Sequence, residues 1–338
     1  MEGDQMPMFS PNTWSVPLPR SRCDFALLGK IYQNGQILFE QNKSSEWIRG
    51  IRQGLYNMST ASSQFVSASI ASDDPSMVRV YEAKYFHCFN PRWATYDLSS
   101  GHVVDNNEES LRLEDNIICQ HYVTRDDVEM KLKELNWHHS YLIAWRDITN
   151  ATNERTAIFA LLPRAGLGNN AGLLIPREDL HPSDILVLLA NLNSLVFDYA
   201  TRQKVGGTHL NGFILEQLPV LERGKIDRDD IDFLSERAGR LSFNSADLED
   251  AALEFGLRPQ ATLASERCVL KAEIDAYIAR LYGLTHDELR YILDPSDVMG
   301  PDYPSETFRV LKNSEIRQFG EYRTQRLVLE AWDRLFGP

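Results

Sequence analysis

Apolar residues recur at two different periods along this chain, and the change of period divides it into two parts. In the first part, short runs of β-branched and aromatic residues predict β-strands, and these runs lie at residues 78–89, 141–146 and 157–162. Polar composition predicts loops at residues 147–153 and 166–176. In the second part, apolar residues fall three and four positions apart, as on one face of a helix.

The helical pattern defines several elements and, with them, a domain plan. Amphipathic helices are predicted at residues 241–254, 266–282, 285–293 and 315–335, and a short charged helix is predicted earlier, at residues 125–134. Residues 1–45 combine several prolines with one helix capped by Ser21 or Asp24. We therefore expect an α+β fold in which this lead-in precedes a mixed-sheet domain at residues 46–222 and a helical region at residues 223–338.

Residues 191–220 join the two patterns and contain much of the candidate chemistry. Apolar residues between Leu192 and Tyr199 share one helical face, so we expect a long helix that extends to about residue 203. The pair Gly206-Gly207 is predicted to end this helix, because glycine readily adopts the left-handed backbone of a C-cap. In the simplest interpretation, the segment is a helix, a capped turn and a packed strand.

Hydrogen-bonding and basic side chains gather at two places in the sheet domain. Around the double glycine they are Arg202, Lys204, Gly206, Gly207, Thr208, His209 and Asn211; in the loop between two predicted strands they are Arg146, Asn153, Arg155 and Thr156. These side-chain types bind phosphates and base edges of DNA, and glycine allows a backbone to approach a ligand closely. The alternative is two polar turns whose side chains satisfy their own backbone.

Length and composition limit the classes of protein to which the chain can belong. The 338 residues allow two domains, and 43% hydrophobic with 25% charged residues is ordinary for a globular protein. No apolar run reaches the length of a membrane span. The four cysteines are scattered without a Cys-x-x-Cys pair, so we expect neither a zinc site nor another metal centre, and a reducing, cytoplasmic location.

The overall charge opposes the binding of nucleic acid. The chain carries 48 acidic against 35 basic residues, a formal net charge of -13, whereas proteins that bind DNA usually present a basic excess. The positive charge is, however, locally richer near Arg146 and Arg155 and near Arg202 and Lys204. If this chain binds DNA, we therefore expect a partner protein to supply much of the contact with the phosphate groups.

Six segments of the chain carry a resemblance to a known family: RSRCD at residues 20–24, VYEAKYFHCFNPRWATYD at 80–97, AWRDITNATNERTAIFALLPRAGLG at 144–168, SLVFDYATRQKVGGTHLNGFILEQLPV at 194–220, KAEIDAYIARLYGLTHDELRYIL at 271–293 and FGEYRTQRLVLEAWDRL at 319–335. In this order, they resemble the C-terminal half of large adenine-specific (N6) DNA methyltransferases of restriction-modification and phage-defence systems. The resemblance covers most of the chain. In this family, the corresponding half follows the catalytic core and includes the target-recognition region.

The resemblance implies a function in recognition without the chemistry of methyl transfer. The Asn/Asp-Pro-Pro-Tyr/Phe motif that such enzymes use for the flipped adenine does not occur in this sequence. Residues 166–168 are read as a turn and not as the glycine-rich site for S-adenosylmethionine. We therefore expect a split or truncated form, with double-stranded DNA and a methyltransferase catalytic subunit as partners. S-adenosylmethionine is expected in that partner, with no cofactor in this chain.

Two alternatives belong to other classes of function. Asp74, Glu82 and Lys84 resemble the acidic residue and Glu-x-Lys strand with which some nucleases hold magnesium, although a strand with an alternating ion pair is the favoured interpretation of these residues. In the second alternative, the chain is a non-catalytic subunit whose helices after residue 220 bind another protein.

Overall fold

The computed structural model describes residues 6–13, 17, 19–40, 43–106, 111–303 and 307–337. The strands are β1 (Gly35–Ile37), β2 (Ile48–Arg52), β3 (Val66–Ser67), β4 (Met77–Tyr81), β5 (Ala94–Asp97), β6 (His102–Asp105), β7 (His121–Thr124), β8 (Tyr141–Arg146), β9 (Phe159–Pro163), β10 (Gly166–Leu167), β11 (Ala171–Pro176) and β12 (Pro219–Leu221).

The three longest helices among the described residues lie in the C-terminal third of the chain. The helices are α1 (Met6–Phe9), α2 (Arg22–Gln33), α3 (Ala68–Ala71), α4 (Arg125–Glu134), α5 (Pro182–Asn193), α6 (Leu195–Arg202), α7 (Gly212–Leu215), α8 (Arg228–Ser242), α9 (Glu249–Glu254), α10 (Ala264–Leu281), α11 (His286–Leu293), α12 (Pro295–Met299), α13 (Arg309–Phe319) and α14 (Arg323–Phe336). The order of strands and helices confirms the predicted α+β class.

Two four-stranded sheets form the first part of the chain. One sheet has the order β2-β11-β8-β9 and is antiparallel throughout. The other has the order β10-β4-β7-β3 and is mixed, because β10 runs parallel to β4. Strand β8 is central in the first sheet and its residues Tyr141 to Trp145 are all buried, which explains why its sequence is apolar at successive positions.

The helical region packs on the sheets through α5 and α6. Helix α5 is buried from Asp184 to Asn193 and contacts both β9 and α8, while α10 contacts α5, α6, α8 and α14. One continuous hydrophobic cluster therefore contains residues from the sheets and from the helices. Within the part of the chain that the structure describes, no helix has both the length and the apolar composition required to cross a bilayer.

Two predictions about strands are wrong. The strand predicted at residues 78–89 ends at Tyr81, and the chain then forms a 3-10 turn at Ala83–Tyr85. The loop predicted at residues 166–176 contains β10 and β11, separated by a turn at Asn169 and Asn170. Polar and glycine residues occur there because the turn and a close strand contact require them, not because the segment is irregular.

The long helix predicted up to residue 203 is interrupted at Ser194, which has an extended backbone with ψ of 154°. The Ser194 side chain caps α6 by accepting a hydrogen bond from the Phe197 amide, and the Asp275 carboxylate accepts one from the Leu195 amide at 2.7 Å. The new helix start is thus stabilised by a residue from α10. The helix predicted at residues 315–335 is likewise divided, at Gly320, where φ is +78°.

Candidate nucleic-acid interface

The two groups of candidate residues lie side by side in the structure. The loop after β8 and the loop after α6 form an antiparallel bridge between Ile148 and His209. The Thr149 amide donates to the Thr208 carbonyl at 3.0 Å, and the Leu210 amide donates to the Asp147 carbonyl at 2.7 Å. Segments about 60 residues apart in sequence therefore form one continuous surface, which we call the paired-loop surface and define as residues 147–156 and 203–211.

Arg202 supports this surface from beneath. Its guanidinium donates to the carbonyl oxygens of Ala151, Asn153, Glu154 and Thr307 at 2.8–2.9 Å. Its Nε also donates to Asp198 at 3.1 Å, and only 8% of the residue is exposed. The expectation that Arg202 contacts DNA is thus corrected: its hydrogen-bonding groups are directed into the protein, where they fix the loop after β8.

Arg155 and Thr156 have the same inward orientation. The Arg155 Nε lies 2.7 Å from a carboxylate oxygen of Asp198, which is completely buried. The Thr156 amide donates to the same carboxylate at 3.2 Å, and the Thr156 hydroxyl donates to the Asn150 carbonyl at 2.9 Å. Both candidate residues consequently stabilise the loop through contacts with buried groups.

Lys204 and Arg146 complete the set of inward-directed cations. The Lys204 ammonium donates to the Phe9 carbonyl, to the Ser10 hydroxyl at 2.9 Å and to the Gln217 carbonyl at 3.1 Å. Burial lowers the pKa of Lys204 to about 7. The Arg146 guanidinium donates to the Phe86 carbonyl, and burial lowers its pKa as well. The expected phosphate contact of Lys204 is therefore replaced by three internal ones.

Trp145 connects the sheet to the second loop. Its indole N–H donates to the Leu210 carbonyl at 3.0 Å, so the ring holds the chain one residue after His209. The ring lies directly over Gly172 of the neighbouring strand β11, where an added Cβ would be 2.2 Å from ring carbon atoms. Glycine at this position provides the space that the indole needs, and the position of His209 depends on that space.

The outer side of the paired-loop surface consists mainly of polar groups, although the acidic Glu154 and the apolar Ile148 are also exposed. Gly206, Gly207, Thr208 and His209 are exposed, as is Asn153, and Asn211, which follows the buried Leu210, is half-buried. Gly206 and Gly207 do not cap α6, since the helix already ends at Arg202 and neither glycine has a positive φ. A Cβ at either glycine would meet no atom within 4 Å. The double glycine is therefore open surface and not a helix cap.

His209 is oriented by a buried carboxylate. Its Nδ1 lies 2.8 Å from an Asp147 carboxylate oxygen, and 47% of the histidine side chain is exposed against 4% for the aspartate. Since a carboxylate only accepts, Nδ1 carries the proton of this hydrogen bond. Asp147 thus fixes the orientation of the ring, and Nε2 is the ring nitrogen that remains for a ligand.

A cleft of about 350 Å³ opens beside His209. The residues that line it include Met58, Glu82, Asn169, Asn170, His209 and Asn211. Asn169 and Asn170 belong to no site predicted from the sequence, because the sequence pattern predicts a loop there. The sequence feature that could have identified them is a pair of asparagines in a short turn between two apolar runs. Side chains in such a turn lie at the end of a sheet, where a ligand can reach them.

The residues of the nuclease alternative are not brought together. Asp74 precedes strand β4 and Glu82 follows it, so the length of the strand, about 17 Å, separates them. Asp74 accepts hydrogen bonds from the Ser76 amide and hydroxyl, which lower its pKa, and Glu82 pairs with Lys84 at 3.1 Å. Among the described residues, no group of three or more His, Cys, Asp or Glu side chains is placed to hold a metal ion.

Comparison with known protein families and with curated proteins gave no match to this chain.

Proposed function

We propose that this chain is the target-recognition part of an adenine-specific DNA methyltransferase and that its paired-loop surface, with the adjoining cleft, binds double-stranded DNA. The observation that carries the proposal is the joining of two separate polar segments into one surface, through the Ile148–His209 bridge. The resemblance of residues 144–168 and 194–220 to the recognition half of such enzymes includes both of these segments.

The chemistry of the exposed side chains favours contact with base edges. Amide, hydroxyl and imidazole groups form directed hydrogen bonds with bases in the major groove. Asn153, Thr208, His209 and Asn211 supply these groups, while the exposed Phe213 adds an apolar ring near them in the chain. Specific recognition also requires a rigid support, which the buried Asp198 provides through its contacts with Arg155 and Arg202.

The charge of the surface favours a partner for phosphate binding. Arg52, next to the cleft residue Gln53, is an exposed cation, whereas Lys84, which is 40% exposed, is paired with Glu82. Few phosphate contacts give a weak dependence of affinity on salt. We therefore propose that a catalytic subunit supplies most of the phosphate contacts, binds S-adenosylmethionine and transfers the methyl group.

Selection from a library of random DNA duplexes tests the proposal. We expect the full chain, immobilised, to enrich a defined motif of several base pairs, and the His209→Ala variant to lose the preference at one position of that motif. Absence of any enriched motif with the wild-type chain, in the presence and in the absence of a candidate catalytic subunit, would contradict the proposal.

Calorimetry with S-adenosylmethionine tests whether the cofactor site lies in this chain or in the proposed catalytic subunit. We expect the chain alone to bind none at micromolar concentrations, because the sequence lacks the glycine-rich turn with its partner acid. Stoichiometric binding would instead place the cofactor site in this chain.

A further inference from the structure

Asn169 and Asn170 have amide groups whose orientation is fixed. The Asn169 Oδ1 accepts a hydrogen bond from the Met58 backbone amide at 3.0 Å, and the Asn170 Oδ1 accepts one from the Ala83 backbone amide at 3.1 Å. Only the oxygen of an asparagine side chain can accept from an N–H group, so the two amides are not free to exchange oxygen and nitrogen. Both residues line the cleft beside His209.

This orientation makes both side chains donors toward a ligand. Their oxygens are engaged with the backbone, and within the described part of the chain neither NH₂ group donates a hydrogen bond. An unrestrained asparagine recognises adenine by accepting from N6 and donating to N7 at once. In Asn169 and Asn170 each oxygen already accepts from the backbone, so the NH₂ donor is the part of each amide that has no partner among the described residues.

Two adjacent donors match the major-groove edge of guanine. Guanine presents two acceptors there, O6 and N7, whereas adenine presents the N6 amino group beside N7. We infer that Asn169 and Asn170 form a guanine-specific subsite, in which their NH₂ groups donate to O6 and N7 of one base. The inference rests on the proposed function, since it names the base that the DNA-binding surface recognises.

The cleft also contains acceptors that fit the cytosine of the same pair. Glu82 and Asp147 contribute carboxylates to the cleft wall. Cytosine presents its N4 amino group in the major groove, and carboxylates accept from it. The set of donors and acceptors is thus complementary to a G·C pair.

Selection with charge-matched variants tests the subsite. Asn169→Asp and Asn170→Asp keep the oxygen that accepts from the backbone and replace the NH₂ donor with an acceptor. Asn57→Asp is the control, because the Asn57 Oδ1 also accepts from backbone amides, at 3.0 and 3.1 Å, and the residue is exposed outside the cleft. The added negative charge is the same in all three variants.

We expect the wild-type chain to enrich a motif with guanine at one position. Either cleft variant should bind this motif at least tenfold more weakly and shift the preference at that position to cytosine or adenine, which present an amino group. The control should keep the wild-type motif. A duplex with 7-deazaguanine at the same position lacks the N7 acceptor and should bind the wild-type chain several-fold more weakly.

The possible outcomes distinguish failure of the proposed DNA-binding function from failure of the guanine subsite alone. If the wild-type chain enriches no motif, the proposed function fails and the subsite fails with it. If a motif is enriched but remains unchanged in Asn169→Asp and Asn170→Asp, DNA recognition stands and the guanine subsite is overturned. A motif that contains no guanine also overturns the subsite.

Discussion

The inner and outer layers of the paired-loop surface differ in chemistry although they come from the same two sequence segments. The inner layer contains Arg155, Arg202 and Lys204, whose charged groups are bound to Asp198 or to backbone oxygens. The outer layer contains polar groups such as His209 and Asn211. Basic residues in a candidate DNA-binding segment therefore do not identify its phosphate contacts, because here the folded chain uses them as supports.

The two layers also differ in what a substitution should change. A change in the inner layer removes contacts among buried groups, so its effect should appear in the free energy of unfolding. A change at Asn211 in the outer layer removes no side-chain hydrogen bond among the described residues, so its effect should appear only when DNA is present.

Among the substitutions considered, Asp198→Asn in the inner layer should cause the largest loss of stability. The substitution keeps the shape of the side chain and removes the counter-charge of Arg155 and Arg202, which lie 2.7 and 3.1 Å away. Breaking a buried ion pair in this way costs about 3–5 kcal/mol, and we expect a decrease of this size in urea unfolding followed by circular dichroism. The exposed pair Arg326–Glu330 on α14 provides the control, and Glu330→Gln should leave the unfolding midpoint unchanged. A decrease below about 1 kcal/mol for Asp198→Asn would show that the inner layer is not a support.

A second variant tests the link between the sheet and the outer layer. Gly172→Ala places a Cβ 2.2 Å from the Trp145 ring, and overpacking of this kind costs about 1–3 kcal/mol. The ring must shift, so the hydrogen bond to the Leu210 carbonyl should weaken and the tryptophan fluorescence should change. Gly29→Ala is the matched control in helix α2, where no atom lies within 4 Å of the new Cβ. It should stabilise the protein by about 0.5–1 kcal/mol. Equal stability of the two variants would contradict the packing account.

The protonation of Lys204 gives a pH-dependent test. Burial lowers its pKa to about 7 in the folded protein, whereas the unfolded chain has a lysine pKa of about 10.4. Between these values the unfolded state binds more protons, so this group makes the folded state more stable as the pH rises from about 7 to about 10. The difference in unfolding free energy between wild type and Lys204→Met should thus move in favour of wild type over this window. A difference that is independent of pH would contradict the assignment.

The smallest expected effect belongs to the double glycine. Because Gly207 is exposed, has no positive φ and has no atom within 4 Å of a new Cβ, Gly207→Ala should change the free energy of unfolding by less than about 0.5 kcal/mol. Loss of DNA affinity without loss of stability would show that DNA approaches the backbone closely at this glycine. A large loss of stability would restore the glycine to a structural role.

The sequence predicts those helix boundaries that neighbouring residues determine, but not those that depend on contacts between residues far apart in the sequence. Helix α4 begins and ends where its charged periodic pattern predicts, and Thr285 caps α11 as expected. These features are determined by neighbouring residues. The break at Ser194 was not predicted, because it is stabilised by Asp275, which lies 80 residues away.

The candidate site shows the same limit. The spacing of Asp198 and Arg202 is that of an ion pair on one helix face, and this signal was present in the sequence. Their burial depends on the loop after β8, whose position no local pattern specifies. Asn169 and Asn170 were missed for a related reason, since a turn acquires chemical importance only when the residues across the cleft are known.

Titration of a fluorescent duplex that carries the selected motif, at several salt concentrations, tests the account most directly. The proteins are wild type, Lys204→Met and Asn211→Ala, each first shown to be folded. We predict that Lys204→Met keeps both the affinity and the salt dependence of wild type, whereas Asn211→Ala loses about 1–3 kcal/mol for the selected motif and none for other duplexes. A lower salt dependence in Lys204→Met, by about one unit of slope, with an unchanged preference in Asn211→Ala, would contradict the account.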